Sequence, residues 1–259
     1  MAELLHLARE GAVATLTLNR PELRNAFNAA LIAQITEALD MIARDADMRV
    51  LVLQGAGPSF CAGADIGWMR DSLDYSYEEN LADAERLDAM FDALSRLPLA
   101  VVGKIHGAAL GGGVGLAACC DIVIAAEDAQ FGFTEVRLGL LPAVIARYVV
   151  PRIGPGHARA LFVSGQRFGS DHARLIGLAH EVVPPDQLDQ TVSKTIEGLL
   201  CCGPQAIAAA KELVQAVVAL PDAQARQYVI EAIATARTGH EGQEGLQAFL
   251  EKRPPSWAM

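Results

Sequence analysis

Two segments of this chain, Ser59-Phe60-Cys61-Ala62-Gly63-Ala64-Asp65-Ile66 and Leu110-Gly111-Gly112-Gly113, place small residues where a strand gives way to a helix. Turns of this kind leave backbone N–H groups without partners and let a ligand approach the main chain closely. Ala64 stands just before a helical turn that begins near Ile66, so its amide is positioned to face outward unpaired. Two such segments in one domain suggest paired amides cradling an oxyanion. Downstream, Glu135 lies in Phe131-Gly132-Phe133-Thr134-Glu135-Val136-Arg137-Leu138-Gly139. Aromatic and apolar neighbours would raise its pKa and suit it to proton transfer. The chemistry implied is stabilisation of an enolate with a carboxyl moving protons beside it.

Blander readings stand beside each of these. Glycine turns also serve close packing of helix on strand, and Glu135 could cap a turn or pair with Arg137. Asp65 and Asp121 suit bonds to nearby backbone amides, and His106 suits packing between a strand and the glycine turn. Gly111-Gly112-Gly113-Val114-Gly115 does not spell GxGxxG, and no acidic residue ends a second strand at the required distance, so a dinucleotide site is weakly supported. No GK[ST] follows to make a phosphate loop. Neither a Ser/His/Asp order nor metal-ligand spacing stands out.

The elements that must hold these groups alternate strand and helix. Ala12 to Leu18 reads as a strand ended by Asn19-Arg20-Pro21. Asn28 can cap a helix to about Arg44, with Leu31, Ile35, Leu39 and Ile42 along one face. Val50 to Leu53 and Leu99 to Ile105 are continuous apolar runs, as buried parallel strands require. Residues 67–80 read as a polar, aromatic-bearing connector, Leu81 to Leu97 as a helix, and 113–119 as a short helix after the glycine turn. Asp121 to Ala125 and Gln130 to Phe133 read as strands. From Pro142 onward the pattern predicts helices near 143–150, 155–163, 171–176, 185–200, 204–219, 222–238 and 241–251. The alternation implies parallel β with crossover helices.

The chain has 259 residues, 52% of them hydrophobic and 20% charged, as a folded globular protein should. A formal charge of −10 with no lysine- or arginine-dense run argues against nucleic acid. The five cysteines, Cys61, Cys119, Cys120, Cys201 and Cys202, form no CxxC pair and read as small buried hydrophobes in a reducing compartment. The N-terminus lacks a signal-peptide pattern, and the run from Gly107 to Cys120 is too short and glycine-rich to span a bilayer. A soluble cytoplasmic protein with no membrane partner is expected.

Asn19-Arg20-Pro21 with Asn25-Ala26, Ser59 to Ile66, Gly107 to Gly113, Cys120-Asp121, Phe131-Gly132, Thr134-Glu135, Leu138-Gly139 and the ending Phe249-Leu250-Glu251-Lys252-Arg253-Pro254 together resemble the crotonase (enoyl-CoA hydratase/isomerase) superfamily. The match runs in order along essentially the whole chain. The resemblance implies an α/β fold of stacked ββα turns over about 1–195, with a helical trimerisation region over 196–259 and assembly as a homotrimer or homohexamer. It implies an acyl-CoA thioester substrate, with no separate cofactor because coenzyme A is part of that substrate. The amides of Ala64 and Gly112 would hold the thioester oxygen. Arg24 and Ala26 would lie along the CoA phosphates and adenosine; Ala62, Asp65 and Ile66 would line the pantetheine and thioester path. Gly111, Gly115 and Thr134 complete the expected substrate contacts.

Hydratases of the family typically carry two glutamates, the first of them two residues after the glycine triplet. Here Gly115 holds that place, and only Glu135 matches the second. The runs 115–121 and 135–143 resemble the single-glutamate methylglutaconyl-CoA and carboxygeranoyl-CoA hydratase branch. Hydration of a 2-enoyl-CoA with Glu135 as acid and base is therefore expected, with the missing side chain at Gly115 leaving room for water or for a branched or carboxylated acyl group. An isomerase that moves a double bond from position 3 to position 2 is the alternative. A catalytically silent acyl-CoA-binding protein is a third.

Overall fold

Val13–Leu18 (β2) buries Ala14, Leu16 and Leu18 and leaves the residues between them half-exposed, the period of a strand with one covered face. Leu5–Glu10 (β1) pairs with it antiparallel as an edge strand. Val50–Gly55 (β3), Ala100–Ile105 (β4), Ile122–Ala126 (β6) and Glu181–Val183 (β9) add in parallel, giving a six-stranded sheet ordered β1-β2-β3-β4-β6-β9. The computed structural model describes residues 4–258.

The crossovers carry the helices. Ala29–Arg44 (α1) starts where the Asn28 side chain accepts from the Leu31 amide, a cap worth about 1 kcal/mol. It buries Leu31, Ile35, Leu39 and Ile42, the face read from the sequence. Ile66–Asp71 (α2) and Tyr77–Ser95 (α3) follow β3, and Gly112–Cys119 (α4) follows β4. The α3 helix begins earlier than Leu81 because Ser76 and Glu79 form a reciprocal capping box that closes its first turn. The supposed connector 67–80 is thus mostly helical: α2, a 3-10 turn at Ser72–Asp74 and the start of α3.

A second, narrow sheet crosses the ends of these units. Ala108–Leu110 (β5), Gln130–Gly132 (β7) and Arg167–Gly169 (β8) form it, in the order β5-β7-β8. Isolated bridges Phe27–Ala64 and Cys61–Ala109 extend the same pairing to the loops after β2 and β3. After β3, β4 and β6 the chain therefore runs through a second short extended segment before its next helix, the ββα turn expected from the sequence.

Past a 3-10 turn at Glu135–Leu138, Ala143–Ser164 (α5) continues through a break at Gly154, whose φ of +76° separates the two helices read in the sequence. Ser170–Leu175 (α6) packs against β8 and β9, whereas Leu188–Leu200 (α7) covers a face of the large sheet, setting Leu188 and Val192 on Val50, Val52, Val102 and Ile124, and runs across position 195. Pro204–Ala219 (α8) stays tied to the sheet through Ile207 and through Lys211, which pairs with Asp121, while Asp222–Thr238 (α9) and His240–Glu251 (α10) follow it outward. Neither α8 nor α9 buries a residue in the single chain, and Val214, Val218, Ile230, Ile233, Phe249 and Leu250 are exposed. No helix among the described residues is long and apolar enough to cross a membrane.

Candidate active site

The Ala64 amide is aimed by a one-residue parallel bridge. The Phe27 amide donates to the Gly63 carbonyl at 2.7 Å and the Asp65 amide donates to the Phe27 carbonyl at 2.8 Å. Both bonds belong to the peptides flanking Ala64, so its own N–H points the opposite way, and no acceptor for it exists among the described residues. Ala62 is tied one step earlier, its amide donating to the Arg24 carbonyl at 2.9 Å. The Asp65 side chain then caps α2, accepting from the Gly67 amide at 2.6 Å.

Gly112 is reached through a different construction. Gly111 donates its amide to the Gly132 carbonyl at 2.9 Å and holds φ +50°, ψ −116°, a conformation that glycine adopts readily. Gly112 opens α4, so its N–H is among the first-turn donors that have no helical partner; it donates to no group among the described residues. The two turns touch. A methyl group built on Gly63 would lie 3.0 Å from the Leu110 carbonyl oxygen, and one built on Gly111 would come within 4.0 Å of the Gly63 Cα.

Glu135 closes the arrangement from the third side. It starts the 3-10 turn after β7, with Thr134 preceding it as a half-buried N-cap residue whose side chain makes no cap bond. A Cβ on Gly111 would stand 3.0 Å from Glu135 Oε1, so the carboxyl lies directly over the backbone that leads to Gly112. Oε2 is buried with no hydrogen-bond partner. Burial pushes the carboxyl above the ordinary glutamate range, its own backbone amide offsetting part of the rise. A buried carboxylate oxygen left unpaired beside two unpaired amides costs free energy unless a ligand supplies the partner. Among the described residues no ion pair joins Glu135 to Arg137.

The other expected contacts fall into two groups. Arg24 and Ile66 are exposed, Ile66 at 76%, and stand free to meet a ligand. Ala62 is half-buried and Ala26 is buried, its carbonyl taken by Arg20. Asp65 is engaged: besides capping α2 it accepts from Arg20 Nη2 at 2.6 Å, and that bond with the Gly67 amide outweighs burial to hold its carboxyl below the usual range. A groove of about 370 Å³ runs beside the starts of α1 and α2, lined by Asn28, Asp65, Gly67, Trp68, Asp71 and Tyr75.

Gly115 does not open into free space. A Cβ there would meet Ile145 Cγ2 at 2.4 Å and Phe91 Cζ at 2.9 Å. The room expected for water or a larger acyl group is occupied by these two side chains, because α3 and α5 close on α4 from both flanks. Arg20, noted in the sequence only within the Asn19-Arg20-Pro21 motif and given no role at the site, is 7% exposed and bonds Ala26 as well as Asp65. The signal for it is weak in the sequence: an arginine in a loop reads as solvent-facing until its partner, 45 positions away, is placed.

The chain is similar to known proteins along nearly its full length. The sequence pattern of the family described as enoyl-CoA hydratase/isomerase matches residues 8–259. A putative enoyl-CoA hydratase of Thermus thermophilus is 31% identical over 246 residues, 95% of this chain and 97% of that protein. The 2,3-dehydroadipyl-CoA hydratase of Escherichia coli is 34% identical over 263 residues, covering 99% of each. Among solved structures, an enoyl-CoA hydratase from Shewanella pealeana superposes with a TM-score of 0.95 at 37% identity, over 98% of this chain and 96% of that one. AtuE of Pseudomonas aeruginosa superposes with a TM-score of 0.96 at 38% identity, over 99% and 100%. With paired free amides beside a buried carboxyl on this fold, and a family pattern that spans all but its first few residues, the chain belongs to the enoyl-CoA hydratase/isomerase family.

Proposed function

We propose that this protein adds water across the double bond of a 2-enoyl-CoA thioester. The observation that carries the reading is Glu135: one oxygen over Gly111, the other buried without a partner, beside the open amides of Ala64 and Gly112. In this reading the two N–H groups hold the thioester oxygen. Glu135, ionised, takes a proton from water as its oxygen bonds to C3, and the electron pair of the double bond moves onto the thioester as an enolate. The neutral Glu135 then returns the proton to C2, and the carbonyl re-forms. A preorganised donor of this kind is worth about 3–4 kcal/mol in the transition state. Arg24 lies along the CoA, and the exposed apolar faces of α8 to α10 meet their copies in a homotrimer, or a homohexamer built from two.

One observation favours a second reading. Ile145 and Phe91 fill the place beside Gly115, so the pocket has a single carboxylate and an apolar inner wall. That suits an isomerase in which Glu135 carries a proton from C2 to C4 of a 3-enoyl thioester. Turnover of 2-enoyl and 3-enoyl thioesters in water labelled with heavy oxygen and deuterium separates them. Oxygen incorporation supports hydration; deuterium exchange without oxygen supports isomerisation, and thioester binding without either leaves a silent binding protein. Glu135→Gln should lower turnover by roughly two orders of magnitude or more while thioester affinity is retained. The acyl class suggested by runs 115–121 and 135–143 is read from the same panel once branched and carboxylated thioesters are included.

A further inference from the structure

Arg20 spans the two strands of the bridge that aims the Ala64 amide. Its Nη1 donates to the Ala26 carbonyl at 2.5 Å, on the residue before Phe27, and its Nη2 donates to Asp65 Oδ2 at 2.6 Å, on the residue after Ala64. Arg20 is itself anchored, its amide donating to Asn25 Oδ1 at 2.8 Å, while Asn25 Nδ2 donates to the Ala56 and Ser59 carbonyls at 2.9 and 2.8 Å. The Arg20 side chain is 8% and the Asp65 side chain 13% exposed. The ends of this pair are therefore shielded from solvent and from competing ions. Asp65 is gripped from two sides, Oδ1 by the Gly67 amide and Oδ2 by Arg20, which fixes the peptide plane that follows Ala64.

We propose that the Arg20–Asp65 ion pair is a positioning device for the oxyanion-binding amide of Ala64, acting on the charged transition state rather than on the bound thioester. Arg20 touches no reacting atom. It holds the Phe27 and Ala64 strands in register so that the Ala64 N–H meets the oxygen as negative charge develops there. A displaced donor forfeits more energy against an enolate oxygen than against a neutral carbonyl, because charge-assisted bonds are shorter and stronger. A small displacement of the amide therefore costs turnover while leaving most of the affinity for the long CoA moiety intact. The pair works by geometry: the forked guanidinium satisfies two acceptors at once, which a lysine ammonium cannot do in the same plane.

The inference rests on the enolate reading given above, and the experiment separates the two. The full chain and its Arg20→Gln, Arg20→Lys, Asp65→Asn and Glu135→Gln variants are compared for kcat and KM on a 2-enoyl-CoA. Two affinities are measured alongside: butyryl-CoA as a neutral thioester, and acetoacetyl-CoA, whose enolate is followed by its near-ultraviolet absorbance. Arg20→Gln should lower kcat about 10- to 100-fold, weaken the acetoacetyl-CoA enolate by a similar factor, and change butyryl-CoA affinity by less than about 3-fold. Arg20→Lys should fall between it and the unaltered protein. If Arg20→Gln does not fold, Asp65→Asn, nearly isosteric and still able to cap α2, carries the same expectation. A folded Arg20 or Asp65 variant with unaltered kcat overturns the proposal, and so does equal loss of both ligands, the mark of a merely structural role. Normal behaviour of the unaltered protein with loss of turnover in Glu135→Gln keeps the enolate reading standing in either case. Failure of the unaltered protein to bind either thioester overturns both.

Discussion

The two amides that face the candidate oxyanion site are held by opposite means. Gly112 is fixed by packing: Gly113 to Cys119 of α4 are all buried, Gly113 lies against the Cys61 carbonyl, and α4 carries no ionisable group other than its buried Cys119 thiol. Ala64 is fixed by polar bonds in a half-open loop, through the Phe27 bridge, the Asp65 cap and the Arg20 brace. A packed arm resists changes of pH and salt but tolerates no added volume. A hydrogen-bonded arm depends on charge, and past Gly63 it leaves more room around its backbone. Glu135 belongs to neither support: its Oε1 lies over Gly111 and its Oε2 is buried without a partner.

An added methyl group should separate the arms most sharply. In Gly113→Ala the new carbon would stand 2.3 Å from the Cys61 backbone oxygen, a contact that backbone must move to relieve. We expect a loss of about 1–3 kcal/mol in denaturant unfolding, with turnover falling alongside. The same methyl at Gly67 meets only Asp65 Oδ1, at 3.1 Å, and gains helix propensity. Its stability should change by less than about 1 kcal/mol. Equal damage at both positions would show that the arms are not built differently.

A smaller effect should appear in the pH dependence of stability. Asp65 is held below the ordinary aspartate range, so its contribution is complete above that range and is lost as pH falls through its depressed value. Glu135 is raised, so the fold is favoured below the ordinary glutamate range and loses that advantage as pH rises through the raised value. Glu135→Gln should therefore melt higher than the unaltered protein at neutral and alkaline pH and match it in acid. Asp65→Asn should show the reverse order, melting lower at neutral pH and converging in acid. Melting curves from pH 3 to 9 check both signs.

What could be read from the sequence follows the range of the interactions involved. The face of α1, the buried runs of β3 and β4 and the glycine turns are local patterns, and each is where its residues indicate. Strands β5, β8 and β9 are only three residues long, too short to show a period. The start of α3 was legible in Ser76 and Glu79, a capping signal outweighed by the polar residues around it. Arg20 with Asp65, and Ile145 with Phe91 over Gly115, are tertiary meetings between segments far apart in the chain, and nothing local announces them. The Gly115 case is instructive. A missing side chain reads as space in a sequence, whereas in the folded chain its neighbours have closed the gap.

The convergence of Ala64, Gly112 and Glu135 is open to one direct observation: a crystal structure of the Glu135→Gln protein with a 2-enoyl-CoA bound. The thioester oxygen should lie at roughly 2.7–3.1 Å from both the Ala64 and Gly112 nitrogens, with the residue 135 side chain facing C2 and C3. A thioester oxygen bound to only one of those amides, or to neither, would contradict the site described here.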